Sequence, residues 1–192
     1  GRLGSLVIAL GLTTLALQLI TLATVPLTQS PAVRGLLVAL PNESSLDILV
    51  GAVLTVISYS SLAMVLLTAK LAEQGLVPTT VALGLVLGSN IGSGIAALLS
   101  NAAAPVAARR LPVGSLILKL AGCALTVPFL PQIHVLLQEM DLSVAQQVIA
   151  FHLLFNVARA LLFIGFTGPL GRALDRWIVA PPVDASMRPQ HL

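Results

Sequence analysis

The sequence predicts an all-α polytopic membrane protein, and two observations indicate this class: the composition and the distribution of charged residues. Of the 192 residues, 57% are hydrophobic and only 9% are charged, against roughly 25% charged residues in an average soluble domain. The longest stretches without a charged side chain are 3–33, 48–69, 74–108, 120–138 and 142–158, and 160–171 extends the last of them beyond Arg159. A helix needs about 20 apolar residues to cross the hydrocarbon core of a bilayer. Apolar stretches recur to residue 170, which excludes a signal peptide followed by a soluble domain.

Composition also excludes several functional classes. Aromatic residues make up 4% of the chain, and its few arginines are scattered, so neither a stacking platform nor a basic stripe for nucleic acid is present. The single cysteine, Cys123, allows no internal disulfide and no cysteine metal cluster. It lies in an apolar stretch, where packing is the simpler role.

Four spanning helices are expected, at about 4–26, 78–100, 112–131 and 144–170. Residues 31–40 are typical of a short interfacial helix, and an interfacial helical turn with Arg and Trp is expected at 172–177. Residues 1–178 thus form one transmembrane unit. Residues 179–192 hold three prolines and are expected to be a cytoplasmic linker towards a missing C-terminal domain. The chain begins without methionine, and we expect it to be cut from a longer protein.

Segment 46–74 is apolar except at its centre, where Ser58–Ser61 falls. As one straight helix it would run about 43 Å, which exceeds the hydrocarbon core of about 30 Å. Two arms folded at the serines would fit a re-entrant helical hairpin. The alternative is an ordinary helix whose serine hydroxyls bond to carbonyls of the preceding turn.

Segment 78–100 has a glycine-rich centre at Gly88–Gly94, with two serines and Asn90 among the glycines. These residues are poor helix formers, so a discontinuous helix is expected here. The alternative is a small-xxx-small packing face formed by Gly84, Gly88 and Gly92.

Two broken elements at mid-membrane depth are a recurring arrangement in transporters. Half-helix N-termini, here near Ser60 and Gly92, direct free N–H groups at an anion. Unwound carbonyls and side-chain oxygens coordinate Na⁺. Hydroxyls and amides without carboxylates suit a doubly charged oxyanion accompanied by cations.

Lys119, His152 and Arg159 are the ionisable residues inside the predicted spans. Charges inside a membrane are costly and indicate function by default. The structural alternatives are snorkelling for Lys119, neutral helix packing for His152, and a carbonyl partner for Arg159.

On these motifs the chain resembles the second half of the bacterial Na⁺/phosphate cotransporter family. The family hallmark is a Gln-Ser-Ser-Ser hairpin followed by Gly-x-Asn-x-Gly-Thr, once in each of two inverted repeats. This chain has a Ser-Tyr-Ser-Ser variant at 58–61 and Gly-Ser-Asn-Ile-Gly-Ser at 88–93. The stretches 107–110, 152–156 and 168–172 also resemble the family. Lys119 stands where the family usually has Asn.

The resemblance implies one inverted repeat, that is, half of a core for sodium-dependent transport of inorganic phosphate, with the first repeat missing. It implies a multi-pass protein of the bacterial inner membrane, leading in some members to a PhoU-like domain. The distribution of Lys and Arg among the loops, six on one side against two on the other, predicts a cytoplasmic C-terminus. Partners would be phosphate, Na⁺ and the bilayer, with a homodimer as one arrangement and no nucleic acid. The expected binding residues are Ser58, Tyr59, Ser60, Ser61, Gly88, Ser89, Asn90, Gly92, Ser93, Asn156 and Arg159.

Na⁺ is expected as the coupling ion, at Ser58, Ser60, Asn90 and Ser93, and no other cofactor is expected. Alternatives within transport are another oxyanion or phosphate export. Other classes are a structural or regulatory membrane subunit, and an intramembrane hydrolase using Ser60 or Ser61 with His152. The hydrolase is disfavoured because no carboxylate in the spans would orient the histidine, so a non-enzyme is expected.

Overall fold

The computed structural model describes residues 43–179 continuously, together with scattered positions between residues 4 and 35. The predicted first span at 4–26, the interfacial helix at 31–40 and the linker beyond residue 179 lie outside this continuous part. The expectations for those segments therefore stay predictions.

Residues 43–179 fold into helices without any strand, as the composition predicts. The helices are α1 (Ser44–Ser58), α2 (Ser61–Glu73), α3 (Thr79–Ser100), α4 (Arg110–Thr126), α5 (Leu130–Gln138), α6 (Val144–Phe163) and α7 (Thr167–Trp177). Short 3₁₀ turns at Val106–Arg109, Val127–Phe129 and Ile164–Phe166 precede α4, α5 and α7.

Three stretches of the described residues are long and apolar enough to cross a membrane. They are Thr79–Ser100, Val106–Gln138 and Val144–Trp177. The last two run further than the predicted ends at residues 131 and 170. Pro128 and Pro131 do not end the stretch Val106–Gln138, because each stands in the first turn of a new helical segment. In that position the N–H that proline lacks would have no helical partner.

Helix α3 is the centre of the described bundle. It contacts α1, α2, α4, α5 and α6, and every residue from 81 to 90 is buried. The remaining helices bury one side and leave large apolar side chains exposed on the other, for example Leu154 and Leu161 on α6. This distribution suits a bundle that is surrounded by lipid or by further protein.

The predicted break in the second span is wrong, because α3 is continuous from Thr79 to Ser100. The glycines serve close helix packing instead. A Cβ on Gly88 would overlap the carbonyl oxygen of Ile48 and lie 2.8 Å from the backbone nitrogen of Ala52. A Cβ on Gly92 would lie 2.7 Å from Cβ of Thr55. The small-xxx-small alternative is therefore the correct interpretation of this motif.

The glycine contacts fix the relative direction of the helices. Going along α3, Gly84 meets Asp47, Gly88 meets Ile48 and Ala52, and Gly92 meets Ala52 and Thr55. The numbers rise together, so α1 and α3 are parallel. Helix α2 begins beside the C-terminal half of α3. It ends at Glu73, a short loop before the N-terminus of α3 at Thr79. Helix α2 is therefore antiparallel to both α1 and α3.

Helices α1 and α2 thus form a helical hairpin, with the chain broken at the predicted serines. That this hairpin re-enters one face of the membrane, and that the fold is one of two inverted repeats, stay predictions.

We expect Gly88→Ala to destabilise the protein, because the added methyl group has no room between α1 and α3. Overpacking of this kind costs about 1–3 kcal/mol, which thermal unfolding in detergent would detect. Gly171→Ala is the matched control, since nothing lies within 4 Å of a Cβ at Gly171. Equal unfolding temperatures for the two variants would contradict the packing assignment.

Candidate functional site

The break between α1 and α2 is made by two residues. Tyr59 adopts the left-handed conformation, with φ 53° and ψ 20°, and it is the one non-glycine residue with positive φ in the described part of the chain. Ser60 is extended and caps α2, its Oγ accepting a hydrogen bond of 3.1 Å from the N–H of Ala63. These conformations end α1 and start α2 within two residues.

The tip of the hairpin opens onto a cavity of about 400 Å³ beside α3, which we call the tip cavity. It is lined by Tyr59, Ser60, Ser61 and Leu62 from the tip and by Ser93, Ala96, Ala97 and Ser100 from α3. Small residues on α3 leave the space open. Serine hydroxyls from two separate elements therefore meet in one place.

The backbone gives the tip cavity both signs of partial charge. The N-terminus of α2 begins at Ser61, where the first N–H groups have no partner within the helix and the helix dipole favours an anion. The last carbonyls of α1 end at the same place, and they favour a cation. The hydroxyl of Ser58 lies 3.3 Å from the carbonyl oxygens of both Thr55 and Ser60, so it joins the two arms.

Lys119 brings its side-chain nitrogen next to the tip cavity. Its Nζ donates a hydrogen bond of 2.8 Å to Oγ of Ser93. Ser93 in turn donates to the carbonyl oxygen of Asn90. Gly94 makes room for the lysine, since a Cβ there would lie 3.2 Å from Cδ of Lys119. Lys119 is predicted from the sequence to be an ionisable residue in a span, but it is not among the predicted binding residues.

Four of the expected binding residues lie inside the packed helix α3 and do not line the tip cavity. Gly88 and Gly92 face the backbone of α1. Ser89 and Asn90 are buried, and the hydroxyl of Ser89 and the amide of Asn90 both donate to the carbonyl oxygen of Val86. In this arrangement Asn90 reaches the serine network through its backbone carbonyl.

Asn156 and Arg159 lie on α6, also away from the tip cavity. Nη2 of Arg159 donates to Oδ1 of Asn156 at 3.3 Å, while its buried Nε has no hydrogen-bond partner. A Cβ on Gly122 would lie 3.2 Å from Cδ of Arg159. Gly122 is one helical turn beyond Lys119 on α4, so two cations approach the same part of the bundle.

The donor set at the tip suits a small hard cation and an oxyanion. Oxygen atoms from hydroxyls and carbonyls are the groups that coordinate Na⁺ at breaks in transporter helices. Within the described part of the chain, no group of three or more His, Cys, Asp or Glu residues could hold a metal ion. Of the residues expected to bind Na⁺, Ser60 and Ser93 line the tip cavity, whereas Ser58 does not.

Comparison with known proteins gives a family match over most of the chain. The family model described as Na+/Pi-cotransporter matches residues 22–156. The chain belongs to the Na+/Pi-cotransporter family. With three apolar stretches of spanning length, it is a membrane protein of this family. No solved structure matches the chain.

The chain is also similar to curated bacterial proteins. It is 43% identical over 193 residues to YjbB of Escherichia coli K12, a protein named for inorganic phosphate export, and equally so to YjbB of Salmonella typhimurium. The match covers 100% of this chain and 36% of YjbB, so the chain spans about a third of that relative. It is 31% identical over 155 residues to the uncharacterized protein YqeW of Bacillus subtilis, covering 81% of this chain and 50% of YqeW.

We expect Ser60→Ala to weaken the hairpin, because the first turn of α2 loses the side chain that accepts its N–H. Loss of such a cap costs about 1 kcal/mol, which thermal unfolding in detergent would measure. Ser60→Asp keeps an accepting oxygen and serves as the control. A Ser60→Ala variant as stable as the wild type would show that the cap does not hold the break.

Proposed function

We propose that this chain forms half of a site for sodium-coupled transport of inorganic phosphate across the membrane. The observation that carries the proposal is the tip cavity, in which the N-terminus of α2 and the hydroxyls of Ser60 and Ser61 face Ser93 on α3. Membership of the Na+/Pi-cotransporter family agrees with this chemistry.

Phosphate at neutral pH is a multiply charged acceptor of hydrogen bonds. The free N–H groups at the start of α2 and the serine hydroxyls would donate to its oxygens. The ammonium of Lys119, one hydrogen bond behind Ser93, adds the positive charge that a dianion requires. Tyr59 lies at the exposed edge of the cavity; its hydroxyl could donate to phosphate, whereas its carbonyl would serve a cation.

Na⁺ would take the opposite set of groups. The carbonyls at the end of α1 and the oxygens of Ser58 and Ser60 are its ligands in this proposal. The predicted set also includes the carbonyl of Asn90 and Oγ of Ser93, to which Lys119 already donates. The close packing of Gly88, Ser89 and Gly92 would hold these groups in position rather than contact the ions.

The complete transport site needs a second half. YjbB is much longer than this chain, and we propose that a first inverted repeat supplies a second serine hairpin facing the first. The hairpin of α1 and α2 would then re-enter one side of the bacterial inner membrane. The C-terminus would lie in the cytoplasm and lead to a PhoU-like domain, and a homodimer is the proposed assembly.

Export is the favoured direction within this proposal. The support is the 43% identity over the whole chain to YjbB, a protein named for inorganic phosphate export. Import and export use the same binding chemistry and differ in gradients and gating. A non-transporting membrane subunit is the second candidate, because residues 43–179 hold one hairpin.

A hydrolase finds less support in the geometry. The residues that line the tip cavity include neither histidine nor carboxylate, so Ser60 and Ser61 lack a neighbouring base there. We therefore propose that the protein is not an enzyme.

We expect Ser61→Ala to lower phosphate flux about tenfold or more, the effect of losing one hydrogen bond to a charged ligand. The measurement is ³²P-phosphate flux in proteoliposomes that hold the complete polypeptide encoded by the gene. Ser45→Ala, an exposed serine at the other end of the same hairpin, is the matched control and should transport normally. Wild-type flux in Ser61→Ala would remove the tip cavity from the transport path.

Arg159 tests whether a second cation serves the anion. If the guanidinium acts on phosphate through Asn156 and Lys119, Arg159→Lys should raise the KM for phosphate about tenfold, because lysine lacks the planar fork of donors. Arg159→Leu should abolish flux while the protein stays folded. Normal flux in Arg159→Leu would make the arginine a structural residue.

A further inference from the structure

The ammonium of Lys119 lies beside Ser93, where the serine motif predicts a bound Na⁺ ion. Its ammonium donates to Oγ of Ser93 at 2.8 Å, and Ser93 is one of the four residues expected to coordinate Na⁺. The contact reaches across from α4 to α3, past the small surface of Gly94. A cation that belongs to the protein is therefore already bonded to this oxygen.

The surroundings keep that cation unpaired. Within residues 43–179 the structure records one ion pair, Arg110 with Asp175, and Lys119 takes no part in it. The neighbouring charge on α4 and α6 is Arg159, which has the same sign. A mobile Na⁺ on Ser93 would face two fixed positive charges and no neutralising carboxylate among these residues.

We propose that the ammonium of Lys119 acts as a built-in cation that replaces one of the coupling Na⁺ ions at Ser93. An ammonium group binds the same kinds of oxygen atom as Na⁺. Because it is part of a side chain, it stays at the site through every transport cycle. The proposal rests on the proposed function, in that Na⁺ and phosphate bind at the tip cavity. Its consequence is that each phosphate moves with one Na⁺ fewer than the serine and carbonyl ligands would otherwise bind.

Direct binding of phosphate by Lys119 is the competing role. Lys119 does not belong to the residues that line the tip cavity, and its Nζ is directed at the side of Ser93 that faces α4. A ligand in the cavity meets Ser93 first. The geometry therefore favours Lys119 as a bound cation at Ser93 over Lys119 as a residue that binds phosphate.

The test counts Na⁺ in the complete polypeptide encoded by the gene. Equilibrium binding of ²²Na⁺ to the detergent-solubilised protein should rise by about one ion per chain in Lys119→Asn, which opens the cation position. In proteoliposomes, the ratio of ²²Na⁺ to ³²P-phosphate moved should rise by about one in the same variant. Lys119→Arg keeps the charge and should retain the wild-type count, as should Lys70→Asn, which removes an exposed lysine of α2.

Each outcome decides the proposal. An unchanged Na⁺ count in Lys119→Asn, with or without weaker phosphate binding, would overturn it and would leave Lys119 as a phosphate ligand or a packing residue. If the asparagine variant is recovered unfolded, Lys119→Gln makes the same count with a longer side chain. A wild type that carries no phosphate flux refutes the proposed function, whereas the ²²Na⁺ count in detergent is read independently of flux.

Discussion

The contact between α1 and α3 is the constraint on which the rest of the structure depends. Gly84, Gly88 and Gly92 leave space on one side of α3. The backbone of α1 at Ile48 and Ala52 and the side chains of Asp47 and Thr55 fill that space. The approach is so close that a single methyl group at Gly88 would meet the carbonyl oxygen of Ile48. Dispersion contacts between closely spaced backbones stabilise such pairs in membranes, where burial of apolar side chains gives little driving force.

This contact determines where the hairpin tip lies. Because α1 runs parallel to α3 and in register with it, the break at Tyr59 and Ser60 falls beside Ser93. The strained left-handed conformation of Tyr59 costs roughly 1–2 kcal/mol, and the cap at Ser60 offsets part of this cost. The polar groups of the tip are thus held by packing contacts that lie about one to three helical turns away from them.

Two cations, Lys119 and Arg159, lie near each other in the bundle, whereas the buried acid Asp47 lies against Gly84 in the first half of α3. Lys119 is bonded to a serine and Arg159 to an asparagine, and two unit charges 4 Å apart repel each other by about 4 kcal/mol at an effective dielectric constant near 20. A further cation near Ser93 would meet repulsion of that order, whereas an anion would be attracted by a similar amount. This pair of cations agrees with the proposed transport of an anion and would limit how many Na⁺ ions accompany it.

The sequence by itself determined the helical membrane class, the starts of two of the three spanning stretches and the break at Ser58–Ser61; the stretch predicted from residue 112 begins at Val106. These features are local, because apolar length and a polar interruption are visible along the chain. Only the tertiary structure decided that α3 is continuous, since the same glycines suit either a broken helix or a close helix contact until their partner is known. It also decided that Lys119 meets Ser93, because 26 residues separate them and only the docking of α4 against Gly94 brings ammonium and hydroxyl together.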